Sequence, residues 1–343
     1  MADSGHSSQT TPDEAKQLRK DPFTNTWVLQ LSGEPALGTG NGCRLCPGAP
    51  AGSSKTLYQY PLGTSNWQVR VIPHFHPLYR VESDARRQAD GIYDRMQTLG
   101  AHEIVVEHPE HRLTLSRQSD EHVAQVLRAY ASRIADLKKD RRLRHVTVFR
   151  NQGRAAGQDF EHPHSEITAT PFIPRRVGYK LRWCQRHFAV KERCLTCDIL
   201  KQELTEQART IEWDDIFVAF CPYASRVPYE TWLAPLNHHH LFEEDITAGG
   251  TALRFARILK STLRRLEMIS SSYHLVLHTS PNLNAKFERK DNWQTIAEDY
   301  HWHIEILPVI PQRSKSYSFK EVYYNTITPE YAAQELRKLT LGA

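Results

Sequence analysis

Two short patterns carry most of the chemistry this chain could perform. Cys43 and Cys46 form one Cys-x-x-Cys pair and Cys194 and Cys197 a second, and His-x-His-x-Glu occurs twice, at His162, His164, Glu166 and at His301, His303, Glu305. Zinc takes four tetrahedral ligands from thiolates and imidazoles. Each half of the chain offers such a set: Cys43, Cys46, His111 and His162 in the first, Cys194, Cys197, His238 and His301 in the second. His239 or His240 could stand in for His238. A set of four protein ligands is closed, which predicts structural rather than catalytic metal.

The second histidine of each pattern is then left over. Alternation along a strand puts His162, His164 and Glu166 on one face and His301, His303 and Glu305 on the other copy's equivalent face, as a solvated face would also show. A neutral imidazole attacks activated phosphoryl groups and then leaves well. Ahead of His164 runs RNQGRAAGQDF, in which Asn151, Gln152, Gly153 and Gly157 could let backbone N–H groups approach an anion. The matching stretch before His303 lacks that glycine pattern, so His164 is the better nucleophile candidate.

The elements that must hold these residues also come in two copies. The cysteine pairs start 151 residues apart, and between each pair and its histidine pattern lies one phrase, EIVVEHPEH ending at His111 and ETWLAPLNH ending at His238. Ser119 predicts the cap of a helix carrying Val123, Val126, Leu127, Tyr130, Ile134 and Leu137, followed by a strand at HVTVF. Phe255, Ile258, Leu259, Thr262 and Leu266 draw a similar stripe before the strand-like YHLVLH. The plan is α+β: a few antiparallel strands, a crossing helix and two closing strands, duplicated. Residues 1–16 are expected to be a disordered tail, 17–175 the first domain with the chemistry and 176–343 the second. A last helix is expected from Thr328 and Pro329 to about Leu341.

With 343 residues, two domains each have enough chain for a core. The net charge of +5 (44 Lys+Arg against 39 Asp+Glu) is too mild for a nucleic-acid partner but suits an anionic small molecule. The basic run Lys138, Lys139, Arg141, Arg142 and Arg144 reads as a solvated helix end. No window is apolar enough to span a membrane and the start has no apolar signal region, so a cytoplasmic protein is expected. There, paired cysteines favour metal over disulfides, with Cys184 and Cys221 as bystanders.

The order Cys-x-x-Cys, P-x-H, N-x-G-x-x-x-G and H-P-H, repeated degenerately, resembles the galactose-1-phosphate uridylyltransferase family of the histidine-triad superfamily, near its ADP-glucose phosphorylase-like branch. LRKDPFTNTWVL (Leu18 to Leu29) and NWQVRVIP (Asn66 to Pro73) resemble that family's opening blocks. The resemblance, from about Leu18 to Leu339, implies tandem histidine-triad folds built as antiparallel half-barrels with crossing helices, and a homodimer. It implies that His164 attacks the α-phosphorus of a nucleotide sugar, giving a nucleotidyl-histidine that a sugar 1-phosphate or inorganic phosphate then relieves. Asn151 and Gly153 would lie by the phosphates, zinc would brace the strand of His164, and the second metal site would hold zinc or iron.

The chain departs from the family where phosphate binds. Glu166 stands where relatives carry Gln, Asp159 where they carry a small hydroxyl residue, and His74 where Asn is expected; SGEPALG replaces a nucleotide loop and SYSFKEVYYN lacks a glycine-rich one. A carboxylate beside phosphate is repelled unless protonated or bridged by a cation. Two alternatives therefore stand beside the transferase: a hydrolase or phosphorylase in which Glu166 helps the acceptor, and a nucleotide-binding zinc protein without catalysis.

Overall fold

A computed structural model describes residues 16–31, 42–49, 55–285, 293–310 and 322–340. The expected tail except Lys16, which instead begins a strand, the SGEPALG loop and most of SYSFKEVYYN lie outside them. The strands of the first half are β1 (Lys16–Lys20), β2 (Trp27–Leu31), β3 (Tyr58–Tyr60), β4 (Val69–Pro73), β5 (Gln88–Asp90), β6 (Tyr93–Gln97), β7 (Ala101–Val106), β8 (His145–Gln152) and β9 (His164–Thr170). Those of the second are β10 (Thr210–Trp213), β11 (Phe217–Phe220), β12 (Thr231–Pro235), β13 (Tyr273–His278) and β14 (His303–Pro308). The helices are α1 (Asp120–Leu137), α2 (Arg175–Lys191), α3 (Leu195–Glu206), α4 (Phe242–Asp245), α5 (Thr251–Ile269), α6 (Ile296–Asp299) and α7 (Pro329–Lys338).

Ten strands form one antiparallel sheet in the order β10-β11-β12-β14-β13-β8-β9-β7-β4-β3, and β2-β1-β6-β5 form a small second sheet. The large sheet is two five-stranded copies meeting at the β8–β13 pairing, where Tyr273 faces Gln152 and Leu277 faces Val148. Counted from that seam, β8, β9, β7, β4 and β3 answer β13, β14, β12, β11 and β10. The long helices α1 and α5 each connect corresponding strands, β7 to β8 and β12 to β13. The fold is thus the expected α+β duplication, carried on one continuous sheet.

Both helices form where their stripes predict. The Ser119 hydroxyl accepts the His122 N–H at 3.2 Å and caps α1, and the stripe from Val123 to Leu137 is buried. With the matching α5 stripe it packs on the inner residues Val146, Val148, Ile167, Ala169, Leu275, Leu277, Ile304 and Ile306, one core shared by both copies. Each such Val, Leu or Ile side chain contributes about 1.5–3 kcal/mol on burial. Thr328 accepts from Tyr331 N at 3.3 Å to cap α7, which ends at Lys338, short of the expected Leu341, because Leu339 is extended.

Two further expectations need correction. Lys138 is not on a solvated helix end; its ammonium is buried 2.5 Å from Glu243 Oε1. The strands of the two histidine patterns start at His164 and His303, so His162 and His301 sit just ahead of them.

Candidate metal centres and phosphoryl site

His162 lies where the chain enters β9, His111 on the loop after β7, and Cys43 and Cys46 on the segment between β2 and β3. Cys46 Sγ is 3.4 Å from His111 Nδ1 and 3.5 Å from His162 Nδ1, and Cys43 Sγ is 3.7 Å from His162 Nδ1. In the second copy Cys197 Sγ is 3.4 Å from both His238 Nδ1 and His301 Nδ1. Within each set of four, the donor atoms lie within 4.8 Å of one another. Tetrahedral zinc with ordinary Zn–S and Zn–N bonds has donor–donor edges of about 3.5 Å.

The outer hydrogen bonds fit a metal as well. His162 Nε2 donates to His108 O at 2.7 Å, His238 Nε2 to Ala297 O at 2.8 Å and His301 Nε2 to Pro235 O at 3.0 Å. Each bond fixes the proton on Nε2 and leaves the Nδ1 lone pair facing the thiolates. These are two candidate Cys2His2 metal sites. The neighbouring imidazoles are otherwise engaged, His240 Nδ1 with Ser280 Oγ at 3.0 Å and His239 Nε2 3.8 Å from Asp245.

His164 follows His162 onto the sheet face away from α1. Its Nδ1 donates to the His162 carbonyl at 2.8 Å, so the ring carries its lone pair on Nε2. Phe160 meets the ring edge-on at 5.3 Å between centroids. Among the described residues no side chain caps that Nε2. Beneath the strand, Ser165 points the other way and joins a buried network: its hydroxyl contacts Glu107, Tyr130 Oη is 2.5 Å from it, and the fully buried Arg150 donates to Glu107 at 3.0 Å.

Glu166 is the next residue of β9 on the His164 face. Its Oε2 accepts from His102 Nε2 at 2.6 Å, while His102 Nδ1 accepts the Leu78 N–H at 3.1 Å. Burial works to raise the Glu166 carboxyl, but the His102 hydrogen bond and the neighbouring imidazoles overcome it and hold the group below the usual carboxylate range. His74 stacks on His102 at 4.1 Å and accepts the His76 N–H on Nδ1, which leaves its buried Nε2 without a partner. Burial lowers His74 to about 4, with His102 adding to the effect. Both rings thus carry their proton on Nε2 and offer donors, not lone pairs, towards the site. Asp159 is raised by burial and then by the Glu166 charge.

The glycine loop behaves differently from expectation. Gly153 has φ +80°, and Gly157, at φ +73°, closes a 3-10 turn over Arg154–Ala156. The Gly153 N–H, however, is taken by Gln158 Oε1 at 2.6 Å, and the Gly157 N–H donates to Arg154 O at 3.0 Å. Neither amide is free for an anion. Asn151 shares the face of Glu166, with its Oδ1 accepting from His274 Nδ1 at 2.9 Å, but strand alternation sends Gln152 to the helical face, bound to Arg150.

In the second copy the corresponding site is closed. His303 Nδ1 again donates to the carbonyl two residues back, His301 O at 3.0 Å, but its Nε2 faces Lys180 Nζ at 2.7 Å. Lys180 also binds Glu305 Oε1, and Arg226 Nη2 binds Glu305 Oε2 at 2.5 Å. Trp232 and His278 stack on the two sides of the His303 ring, at 4.7 and 4.8 Å. His74 was singled out in the sequence only as a replacement for Asn, and His102, Lys180 and Arg226 did not stand out as site residues. For His102 the signal was its place on one strand face with Ile104 and Val106; Lys180 lies in an unremarkable basic helix.

Residues 9–174 match the family described as Galactose-1-phosphate uridyl transferase, N-terminal domain. The chain is 25% identical to an ADP-glucose phosphorylase of Arabidopsis thaliana over 98% of its own length and 97% of the relative's. It is 23% identical to a galactose-1-phosphate uridylyltransferase of Thermotoga maritima, covering 94% and 98%. Among solved structures, a uridylyltransferase superposes with TM-score 0.77 at 25% identity, over 94% of this chain and 97% of that one. An Arabidopsis thaliana ADP-glucose phosphorylase with bound ADP-glucose gives 0.75 at 26%, over 94% and 99%. With the duplicated sheet and the paired Cys2His2 sets, these matches place residues 9–174 in the galactose-1-phosphate uridyl transferase family and make the chain, over nearly its whole length, similar to enzymes of that family.

Proposed function

We propose that the chain transfers a nucleoside monophosphate from a nucleotide sugar to a sugar 1-phosphate or phosphate through His164, with zinc in both Cys2His2 sites. The carrying observation is the contrast between the two copies. His164 has its Nδ1 proton tied to His162 O and its Nε2 uncapped, whereas His303 Nε2 is held by Lys180. In the first step Nε2 attacks the α-phosphorus, the bond from that phosphorus to the bridging oxygen breaks, and sugar 1-phosphate leaves. In the second an acceptor oxygen attacks the same phosphorus and the P–N bond breaks. Zinc on Cys43, Cys46, His111 and His162 would fix the carbonyl that orients His164. The ADP-glucose held by a relative supports a nucleotide sugar as donor.

Intact-mass spectrometry after exposure to UDP-glucose and ADP-glucose tests this. The wild type should gain one nucleoside monophosphate, His164→Ala none, and His303→Ala the same as wild type. An adduct that survives in His164→Ala, or a wild type that with either sugar neither carries an adduct nor releases nucleoside monophosphate, overturns the assignment.

A further inference from the structure

We infer that Glu166, aimed by His102, takes the proton of a water molecule that attacks the nucleotidyl-histidine, so that this chain hydrolyses nucleotide sugars to nucleoside monophosphate and sugar 1-phosphate. The inference rests on the His164 nucleophile of the reading above and puts water in the place of its sugar phosphate or phosphate acceptor.

The duplication supplies an internal comparison. Glu305 occupies the position of Glu166 in the second copy, and there both carboxylate oxygens are spent on cations, Oε1 on Lys180 and Oε2 on Arg226. Glu166 has no lysine or arginine partner among the described residues. One oxygen accepts the His102 Nε2–H, and no donor among the described residues takes the other, Oε1. That oxygen belongs to the residue next to His164 on the same strand face. The Leu78 N–H on His102 Nδ1 prevents the imidazole from turning and keeps its donor on Oε2. A carboxylate with one oxygen anchored and one unengaged is the arrangement a positioned proton acceptor needs.

Charge selects the acceptor. Asp159 and Glu166 both stand near His164 without a lysine or arginine partner among the described residues. Once the anionic nucleotidyl group is on His164, a second anion entering past two carboxylates meets repulsion, whereas water is neutral and brings a proton to give. In the step, the water oxygen bonds to phosphorus, the P–N bond breaks with its electron pair returning to His164 Nε2, and the water proton passes to Glu166 Oε1. Glu166 is a catalytic residue in this scheme and His102 a positioning residue.

The full-length, metal-loaded protein is mixed with ADP-glucose or UDP-glucose in 18O-labelled water, with and without inorganic phosphate, and adduct and products are followed by mass. Wild type should release nucleoside monophosphate carrying one 18O atom even with phosphate present. In Glu166→Gln the ratio of labelled monophosphate to phosphate-transfer product should fall about 100-fold, the size of a lost general base. His102→Phe should lower the same ratio, and His102→Gln, which keeps a donor for Glu166, should recover part of it. An adduct that forms but gives no 18O product, or a ratio unchanged in Glu166→Gln, overturns this inference alone. Absence of adduct from both the wild type and Glu166→Gln, with no labelled monophosphate released, overturns the His164 reading and this one with it.

Discussion

The ammonium of Lys180 lies 2.7 Å from Nε2 of His303, the atom whose counterpart on His164 has no cap among the described residues. The two histidines share a strand position, a preceding histidine of a candidate metal site and a Nδ1 bond to the carbonyl two residues back. They differ in what the neighbouring helix delivers. Helix α2 carries Lys180 across His303 and Glu305, and Trp232 lies beneath the ammonium at 4.6 Å. One copy of the motif is thereby converted into a packed ion cluster that supports the fold.

Removing that lysine tests the structural role. In Lys180→Met, Glu305, with a side chain 3% exposed, keeps Arg226 as its close cation but loses the ammonium on Oε1. Breaking one side of a buried ion cluster costs about 3 kcal/mol. The urea midpoint should drop accordingly with an unchanged slope. A midpoint equal to wild type would show that the cluster contributes nothing to stability.

Metal stoichiometry follows from the two closed sets. The wild type should carry two equivalents of zinc, and Cys43→Ser and Cys194→Ser one each, measured on protein purified without chelator. Cys43→Ser should also slow adduct formation, because the carbonyl that orients His164 belongs to a ligand of that site, while Cys194→Ser should leave the first site's metal in place. Two equivalents retained by either variant would contradict the ligand sets.

The duplication, both long helices and the two Cys2His2 groupings were legible because each rests on local spacing: caps at Ser119 and Thr328, a helical stripe from Val123 to Leu137, paired cysteines and strand alternation. What surrounds His164 was not. Whether Glu166 meets a cation depends on which residue a distant element brings over it, His102 from β7 in one copy and Lys180 from α2 in the other. The glycine loop failed for a related reason. Glycine spacing reported the positive φ at Gly153 and Gly157 but not that Gln158, five residues on, consumes the Gly153 N–H.

Those two glycines separate space from strain. A Cβ on Gly153 would stand 2.3 Å from Ser272 Oγ and 3.1 Å from Ser271 O, at φ +80°, whereas one on Gly157 would meet nothing within 4 Å, at φ +73°. Gly157→Ala should therefore cost only the left-handed backbone penalty, about 1–2 kcal/mol. Gly153→Ala should cost more, and should also disturb the seam at which Ser272 approaches β8. Equal losses in urea unfolding would refute the role given to Ser272.

Acid sensitivity should trace in part to His145. This histidine, the first residue of β8, is 2% exposed; burial, reinforced by the Lys138 ammonium, pushes it down to about 3 from an ordinary 6.5. Below pH 6.5 the unfolded chain binds a proton that the folded chain refuses, so stability falls as pH falls from 6.5 towards 3 and is fully present above 6.5. Within that window the group contributes a slope of up to about 1.4 kcal/mol per pH unit. His145→Gln removes the titration and should flatten the profile between pH 6.5 and 4.5 by about that slope, whatever its effect at pH 8. Urea unfolding of both proteins at pH 8, 6.5, 5.5 and 4.5 measures it, and parallel profiles would mean that His145 is protonated without cost in the folded chain.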